Sequence, residues 1–157
     1  MEIVDITFNF ELFEDCVEQK YKVCDQICDH LESLVYLSDE LDNFDPASDF
    51  FIDVDDLIAD EIVGTVDTLQ EKSKEMVVAI DVYVELMKSR INYLQSTKTE
   101  DEILSNYKIR TERQSLRAKI SKYNKLKEDF SKSIENLVKQ VDDLGYGYDD
   151  EDEMNME

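Results

Sequence analysis

The chain has 157 residues, 42% of them apolar, and a formal net charge of -22. This is the length of one ordinary domain, and the apolar fraction is enough to bury a core. With only three glycines and one proline, the composition argues against turn-rich β-sandwiches and Gly-rich nucleotide-binding loops and favours a few long helices.

The first residues predict either of two structures. In the stretch IVDITFNF, apolar and polar residues alternate from Val4 to Phe10, and a period of two is typical of a short strand. Such a strand needs a partner edge, in the run DFFIDV or in another protein. An extended arm or an additional helical turn over residues 1–9 is the alternative.

A first helix is predicted over about residues 10–42. Apolar side chains recur there on a seven-residue grid, as in helices that pack against other helices. The grid consists of Phe10, Phe13, Val17, Cys24, Ile27, Leu31, Leu34 and Leu41. A flanking apolar row widens this stripe, as expected for a helix with more than one neighbour.

The three cysteines lie on this first helix. Cys16, Cys24 and Cys28 are odd in number and share one element, so they do not form a disulfide framework. We expect buried thiols and a reducing intracellular compartment, the cytoplasm or the nucleus. The chain starts without a signal-peptide pattern, and its most apolar segment contains Asp81 and Glu85, so no membrane insertion is expected.

A second helix is predicted over about residues 54–96, because Pro46, the only proline, interrupts the period before it. Asp53 is placed to cap this helix, with Ile52 and Leu57 as a hydrophobic staple. Apolar residues then recur at three- and four-residue steps. They are Ile62, Val66, Leu69, Met76, Ile80, Tyr83, Met87 and Leu94.

A third helix is predicted over about residues 99–144, with Thr99 and Glu102 as a capping box at its start and Gly145 as the cap at its end. Its apolar residues are Leu116, Ile120, Tyr123, Phe130, Ile134, Leu137, Val141 and Leu144. Because residues 141–157 carry eight acids and no base, we expect residues 145–157 to form a disordered acidic tail.

These elements predict an all-α fold, an elongated three-helix antiparallel bundle or coiled coil that forms one domain over residues 10–144. Short connections favour an up-down-up arrangement. The seven-residue repeat also suits a left-handed supercoil that is completed by helices of another chain.

No residue pattern indicates catalysis, and we expect no enzyme activity, no cofactor and no metal. Cys28 and His30, the only histidine, lie about 200° apart around a helix and cannot chelate one metal together. The stretch DVDDLIADEIVG has the Asp spacing of a calcium loop, but Ile58 and Gly64 stand where an EF-hand needs Gly and Glu.

Basic residues are concentrated in residues 108–127, which contain eight Lys and Arg and one Glu. We favour the interpretation that these bases pair with acids of the other two helices, which selects helix partners more than it adds stability. The alternative is a docking patch for an acidic partner, formed by Arg110, Arg113 and Arg117. The acidity of the remaining chain argues against direct binding of nucleic acid.

Two functions of different classes fit these patterns. The first is a non-catalytic helical subunit or adaptor that binds other helical chains, in a hetero-assembly or a homo-oligomer, through its apolar stripes. The expected contact residues are Ile62, Val66, Leu69, Met76, Ile80, Met87, Leu116, Ile120, Phe130 and Ile134. The second is a viral or mobile-element inhibitor that imitates DNA, with rows of carboxylates such as Asp25, Asp29 and Glu32 in place of phosphates.

In general organisation, the predicted bundle over about residues 10–144 resembles the small coiled-coil subunits of kinetochore, Mediator and membrane-tethering complexes. It is also similar to the three-helix N-terminal regulatory domain of syntaxins. The resemblance is one of architecture and involves no diagnostic motif. It implies a protein that acts by helix association and adds a syntaxin-type regulatory domain as a further alternative.

Overall fold

The computed structural model describes the backbone of residues 3–41, 49–96 and 98–145 and the side chains of residues 10–41, 54–96 and 98–145. Of the described residues, 96% are helical and none lies in a strand. The helices are α1 (Ile3–Glu40), α2 (Asp49–Ser96), α3 (Glu100–Ser105) and α4 (Tyr107–Asp143). Helices α1, α2 and α4 pack against one another, which confirms the predicted all-α three-helix antiparallel bundle.

Helix α1 begins at Ile3, so residues 3–9 form additional helical turns in place of the strand or extended arm predicted over residues 1–9, of which residues 1–2 lie outside the described residues. The residues Ile3, Ile6 and Phe10 follow the three- and four-residue steps of a helix as well as the alternation of a strand. A helix satisfies its backbone hydrogen bonds within itself, whereas a lone strand lacks a partner edge. The helical alternative is therefore the one that the fold adopts.

Helix α2 begins at Asp49, five residues earlier than predicted, so Asp53 lies inside the helix and does not cap it. Helical steps already connect Phe51, Val54, Ile58 and Ile62 in the sequence. Leu57 is 70% exposed and is not held in a hydrophobic staple. The predicted break at Pro46 lies outside the described residues, as does the predicted tail over residues 145–157 apart from Gly145.

The predicted third helix is divided in two. Thr99 is the N-cap of α3, and its hydroxyl oxygen accepts a hydrogen bond from the Glu102 backbone N–H at 3.3 Å, which confirms the predicted cap. Asn106 then interrupts the helix with extended backbone angles, and its Oδ1 accepts from the Ile109 N–H at 3.2 Å. An asparagine side chain competes with the helical backbone for such hydrogen bonds, so it ends α3 and caps α4.

The end of α4 agrees with the sequence prediction. Gly145 adopts a positive φ of 87°, and its N–H donates to the Asp142 carbonyl at 3.0 Å. This left-handed residue and its hydrogen bond are typical of a glycine C-cap. The end of this helix could be predicted from the sequence, because the cap involves only residues that are close together in the chain.

The chain divides into two compact units. The first contains Met1–Tyr21 and Lys74–Phe130, and the second contains Lys22–Ser73 and Ser131–Glu157. Each unit contains a part of α1, α2 and α4, while α3 belongs to the first. Within the first unit, the order of the polar contacts shows that α1 and α4 run parallel and that α2 runs antiparallel to both.

Both units have apolar cores. The buried apolar residues of the first unit are Val17, Met76, Ile80, Tyr83, Val84, Met87, Ile91, Leu94, Ile103, Leu116, Tyr123 and Phe130. Those of the second unit are Cys24, Leu31, Leu34, Leu41, Ile62, Val66, Leu69, Ile134, Leu137 and Val141. The rings of Tyr83 and Tyr123 meet edge to face at 5.3 Å in the first unit, a geometry that aromatic pairs prefer.

The cysteines differ in their surroundings. Cys24 is buried as expected, but Cys16 is exposed and Cys28 is partly exposed, so the prediction of three buried thiols is wrong for Cys16. That residue precedes the buried Val17 and lies on the outer side of α1, where no other helix covers it. Partial burial raises the pKa of the Cys28 thiol to about 11.

Two glycines give a matched test of backbone conformation. Gly64 lies inside α2, and a Cβ placed there meets no atom within 4 Å, so Gly64→Ala should raise the free energy of unfolding by about 0.5–1 kcal/mol. Gly145→Ala should lower it by about 1 kcal/mol, because alanine is strained at a φ of +87°. Urea unfolding followed by circular dichroism checks both values. A destabilised Gly64→Ala variant contradicts the prediction.

Candidate interaction surfaces

A polar cluster crosses the apolar core of the first unit. The Tyr83 hydroxyl donates to Glu14 Oε2 at 2.8 Å, and Lys119 Nζ donates to the same oxygen at 2.8 Å. The Tyr123 hydroxyl donates to Glu18 Oε1 at 2.9 Å. These five residues, named here the Glu14 cluster, connect α1, α2 and α4.

The ionisation of the Glu14 cluster follows from its surroundings. The hydrogen bond from Lys119 is the largest cause that lowers the pKa of Glu14 below its ordinary value. Burial, followed by the hydrogen bond to Glu14, raises the pKa of Tyr83, and burial also raises that of Tyr123. At neutral pH the tyrosines are therefore donors and Glu14 is an ionised acceptor, as in a structural hydrogen-bond network.

Among the described residues, three of the eight bases in residues 108–127 pair with acids of other helices. Arg113 pairs with Glu100 of α3, Lys119 with Glu14 of α1 and Lys127 with Asp81 of α2. The N···O distances lie between 2.8 and 3.0 Å. The Lys119 and Lys127 pairs agree with the interpretation favoured from the sequence, whereas the Arg113 pair lies within the segment predicted as the third helix.

The three arginines of the predicted basic patch have different environments. Arg113 is only 6% exposed, and its two terminal nitrogens donate to both Glu100 carboxylate oxygens at 3.1 and 3.0 Å. Arg110 donates to the Leu104 carbonyl at 3.2 Å. Arg117 is exposed and forms no hydrogen bond or ion pair with any described residue, so only Arg117 is wholly available to a partner.

The outer side of α4 is nevertheless basic. The residues Arg117, Lys122 and Lys125 are exposed, lie on one side of the helix and are named here the basic face of α4. Glu112 is the only acid between Lys108 and Lys127, and its carboxylate is turned toward Arg90 of α2, with Arg90 Nε at 2.7 Å. No carboxylate of this stretch therefore neutralises the basic face.

Arg90 was not identified from the sequence. It is 3% exposed, and its Nε and Nη2 donate to the two oxygens of Glu112 at 2.7 and 3.2 Å. The sequence contains one indication that Arg90 is buried. It follows Met87 and precedes Leu94 at steps of three and four residues, so it belongs to the same row of α2. An arginine on such a core-facing row needs a carboxylate partner, and Glu112 fills that role.

The apolar residues predicted to bind a partner lie inside the chain. Ile120 is half-buried, and the other nine are buried. They are Ile62, Val66, Leu69, Met76, Ile80, Met87, Leu116, Phe130 and Ile134. A partner can reach them only if the helices separate, so the accessible apolar surface lies elsewhere.

On α2 of the first unit, accessible apolar residues lie on the side of the helix that is opposite to its buried residues. Val78, Val82 and Tyr93 are 61%, 43% and 48% exposed, and Leu86 is partly exposed. In chain order, Val78, Val82, Leu86 and Tyr93 are separated by four, four and seven residues, which keeps them on one side of a helix. These four residues are named here the outer stripe of α2.

The described residues contain no group of three or more His, Cys, Asp or Glu side chains that could hold a metal ion. None of the helices in the described ranges is long and apolar enough to cross a membrane.

The chain matches no protein-family model, no curated protein and no solved structure.

The Tyr83 hydrogen bond can be tested with a conservative pair of variants. Tyr83→Phe keeps the ring but removes the donor to Glu14, so the free energy of unfolding should fall by about 1–2 kcal/mol. Tyr36→Phe, at a side chain that is 64% exposed, should change it by less than about 0.5 kcal/mol. Urea unfolding at neutral pH measures both, and equal effects would refute a specific role for the Tyr83 hydroxyl.

The lowered pKa of Glu14 predicts a pH dependence of stability. The ionised carboxylate contributes stability that is fully present above the ordinary value of 4.5 and is lost as the pH falls through the lower folded value. The stability difference between the wild-type chain and Glu14→Gln should therefore decrease between about pH 6 and about pH 3. Unfolding curves across this range check the trend, with Glu85→Gln as an exposed control. A difference that is constant with pH contradicts the assignment.

Proposed function

We propose that the protein is a non-catalytic helical subunit or adaptor that binds another helical protein through the outer stripe of α2. The observation that carries the proposal is that this part of α2 is apolar on both sides. Its inner side contributes Ile80 and Met87 to the core, while Val78, Val82 and Tyr93 are exposed opposite them. A helix that faces water is normally polar on its outer side, and contiguous exposed apolar residues mark interaction sites.

The spacing and charges of the outer stripe favour an amphipathic helix as the partner. Steps of four and seven residues are those of coiled-coil contacts, in which flanking charges select the partner and its orientation. Charged residues of both signs flank the stripe, the bases Lys74 and Lys88 and the acids Asp81 and Glu85. A net charge of -22 opposes association between copies of this chain, so we favour a hetero-assembly.

The alternatives are less well supported. Exposed carboxylates such as Asp25, Asp29 and Glu32 suit a DNA mimic, but the basic face of α4 weighs against one, because a mimic gains from carboxylates alone. A regulatory domain of the syntaxin type also acts by helix association and uses the same class of surface. The basic face supports a secondary contact with an acidic protein segment.

A charge-neutral triple variant tests the proposal. Val78→Gln, Val82→Gln and Tyr93→Gln together remove the apolar side chains but keep helix propensity and net charge. We expect the folded variant to recover at least about tenfold less of a stoichiometric partner in affinity capture from the native source, since 1.4 kcal/mol is tenfold in affinity. Mass spectrometry identifies and quantifies the partner.

The matched control replaces exposed residues of α4, with Thr111→Gln, Ser115→Gln and Ser121→Gln in one chain. It should recover the partner at the wild-type level. Circular dichroism and thermal unfolding establish that both triple variants are folded. Equal recovery by the two variants would remove the outer stripe as the binding surface.

A further inference from the structure

A groove lies between α1 and α2 in the second unit, with a volume of about 530 Å³. Its lining includes Val23, Ile27 and His30 of α1 and Glu61, Gly64 and Thr65 of α2. Val23 is 40% exposed and Thr65 is 8% exposed. His30 Nε2 of α1 lies 3.1 Å from Glu61 Oε1 of α2, so the groove combines the apolar side chains of Val23 and Ile27 with a polar contact between its two walls.

Gly64 is not explained by packing within the chain. It lies in the middle of a 48-residue helix, where glycine is about 1 kcal/mol less favourable than alanine. A Cβ at this position meets no atom within 4 Å, so no neighbouring backbone or side chain requires glycine. What the glycine does provide is a gap in the α2 wall, of the kind that admits a large side chain from a facing helix.

Exposed apolar side chains continue along both walls. Leu57, which is 70% exposed, precedes Gly64 by seven residues on α2, and Leu37, which is 49% exposed, follows His30 by seven on α1. Seven residues are about two helical turns, so each leucine lies on the same side of its helix as the groove residue. The apolar surface is thus longer than the groove itself and suits an elongated partner such as a helix.

The segments of α1 and α2 that border the groove are acidic, although Glu61 is the only acid among the residues that line it. Residues 22–40 of α1 and 54–73 of α2 carry 11 acids and 2 bases, a net charge of -9. Charge complementarity therefore selects a partner with bases beside its apolar side chains and disfavours an acidic one. The same argument disfavours a second copy of this chain, whose net charge is -22.

We propose that this groove binds a cationic amphipathic helix of another protein, with one large apolar side chain of that helix in the gap above Gly64. The inference rests on the proposed function in requiring a protein partner, but it concerns a different surface and a defined partner chemistry. Apolar contact at Gly64 supplies the position, and the surrounding carboxylates supply long-range attraction for the bases.

Gly64 allows a test in which binding and stability change in opposite directions. Gly64→Leu fills the gap, yet leucine has a higher helix propensity than glycine, so the free chain should be at least as stable as the wild type. Gly64→Ala fills the gap only slightly. Gln70→Leu, at an exposed position of α2 outside the groove, adds an equal apolar side chain without altering charge and is the matched control.

The probe is a fluorophore-labelled amphipathic peptide of Leu and Lys, about 18 residues long so that it can form a helix. Fluorescence anisotropy measures its affinity for the full-length chain. We expect Gly64→Leu to bind at least about tenfold more weakly than the wild type and Gln70→Leu to bind within about threefold of it. A peptide of the same pattern with Glu in place of Lys should bind at least about tenfold more weakly to the wild type.

Several outcomes overturn the proposal. If Gly64→Leu binds the Leu/Lys peptide as tightly as Gln70→Leu does, the attraction is unspecific charge. If the Leu/Glu peptide binds equally well, or neither peptide binds, the partner chemistry is wrong. Self-association in sedimentation that Gly64→Leu abolishes would identify a second copy as the occupant. The two proposals can fail separately. If the outer-stripe variant captures the partner as well as its control does, the difference in peptide binding between Gly64→Leu and Gln70→Leu is unaffected.

Discussion

The paired hydrogen bonds to Glu14 are the interaction on which the arrangement of the first unit depends. One carboxylate oxygen accepts from Tyr83 of α2 and from Lys119 of α4, each at 2.8 Å. Apolar burial is non-directional and tolerates several helix registers, whereas these hydrogen bonds form together only in the register that places Glu14 beside Tyr83 and Lys119 and Glu18 beside Tyr123. The Glu14 cluster therefore selects the register in which the other surfaces are presented.

The distribution of charge follows from this arrangement. Bases on the inner side of α4, such as Arg113 and Lys119, pair with acids of α3 and α1. Bases on its outer side, such as Lys122 and Lys125, remain exposed and form no ion pair with any described residue. A single basic stretch thus stabilises the bundle on one side of the helix and leaves a positive surface on the other.

The surfaces left for a partner depend on which apolar residues the fold buries in its own cores. The predicted contact residues are used in the two cores, so the surfaces left for a partner are the outer stripe of α2 and the groove at Gly64. Both are apolar at the centre, but mixed charges flank the first and acids flank the second. Because flanking charge discriminates between partner helices, we expect the two surfaces to bind different helices.

The sequence by itself determined the long helices, since a core-facing side chain recurs about every 3.6 residues whatever covers it. It also determined the caps at Thr99 and Gly145, because those hydrogen bonds close within a few residues. The break at Asn106 is also local, because its side chain accepts from the Ile109 N–H, whereas the roles of Arg90 and Arg113 depended on contacts with carboxylates of other helices. Val82 is 43% exposed and Val84 is 4% exposed, although their side chains are identical. Hydrophobicity indicates that a residue prefers burial, but only the packing of the other helices decides whether that side of α2 is covered.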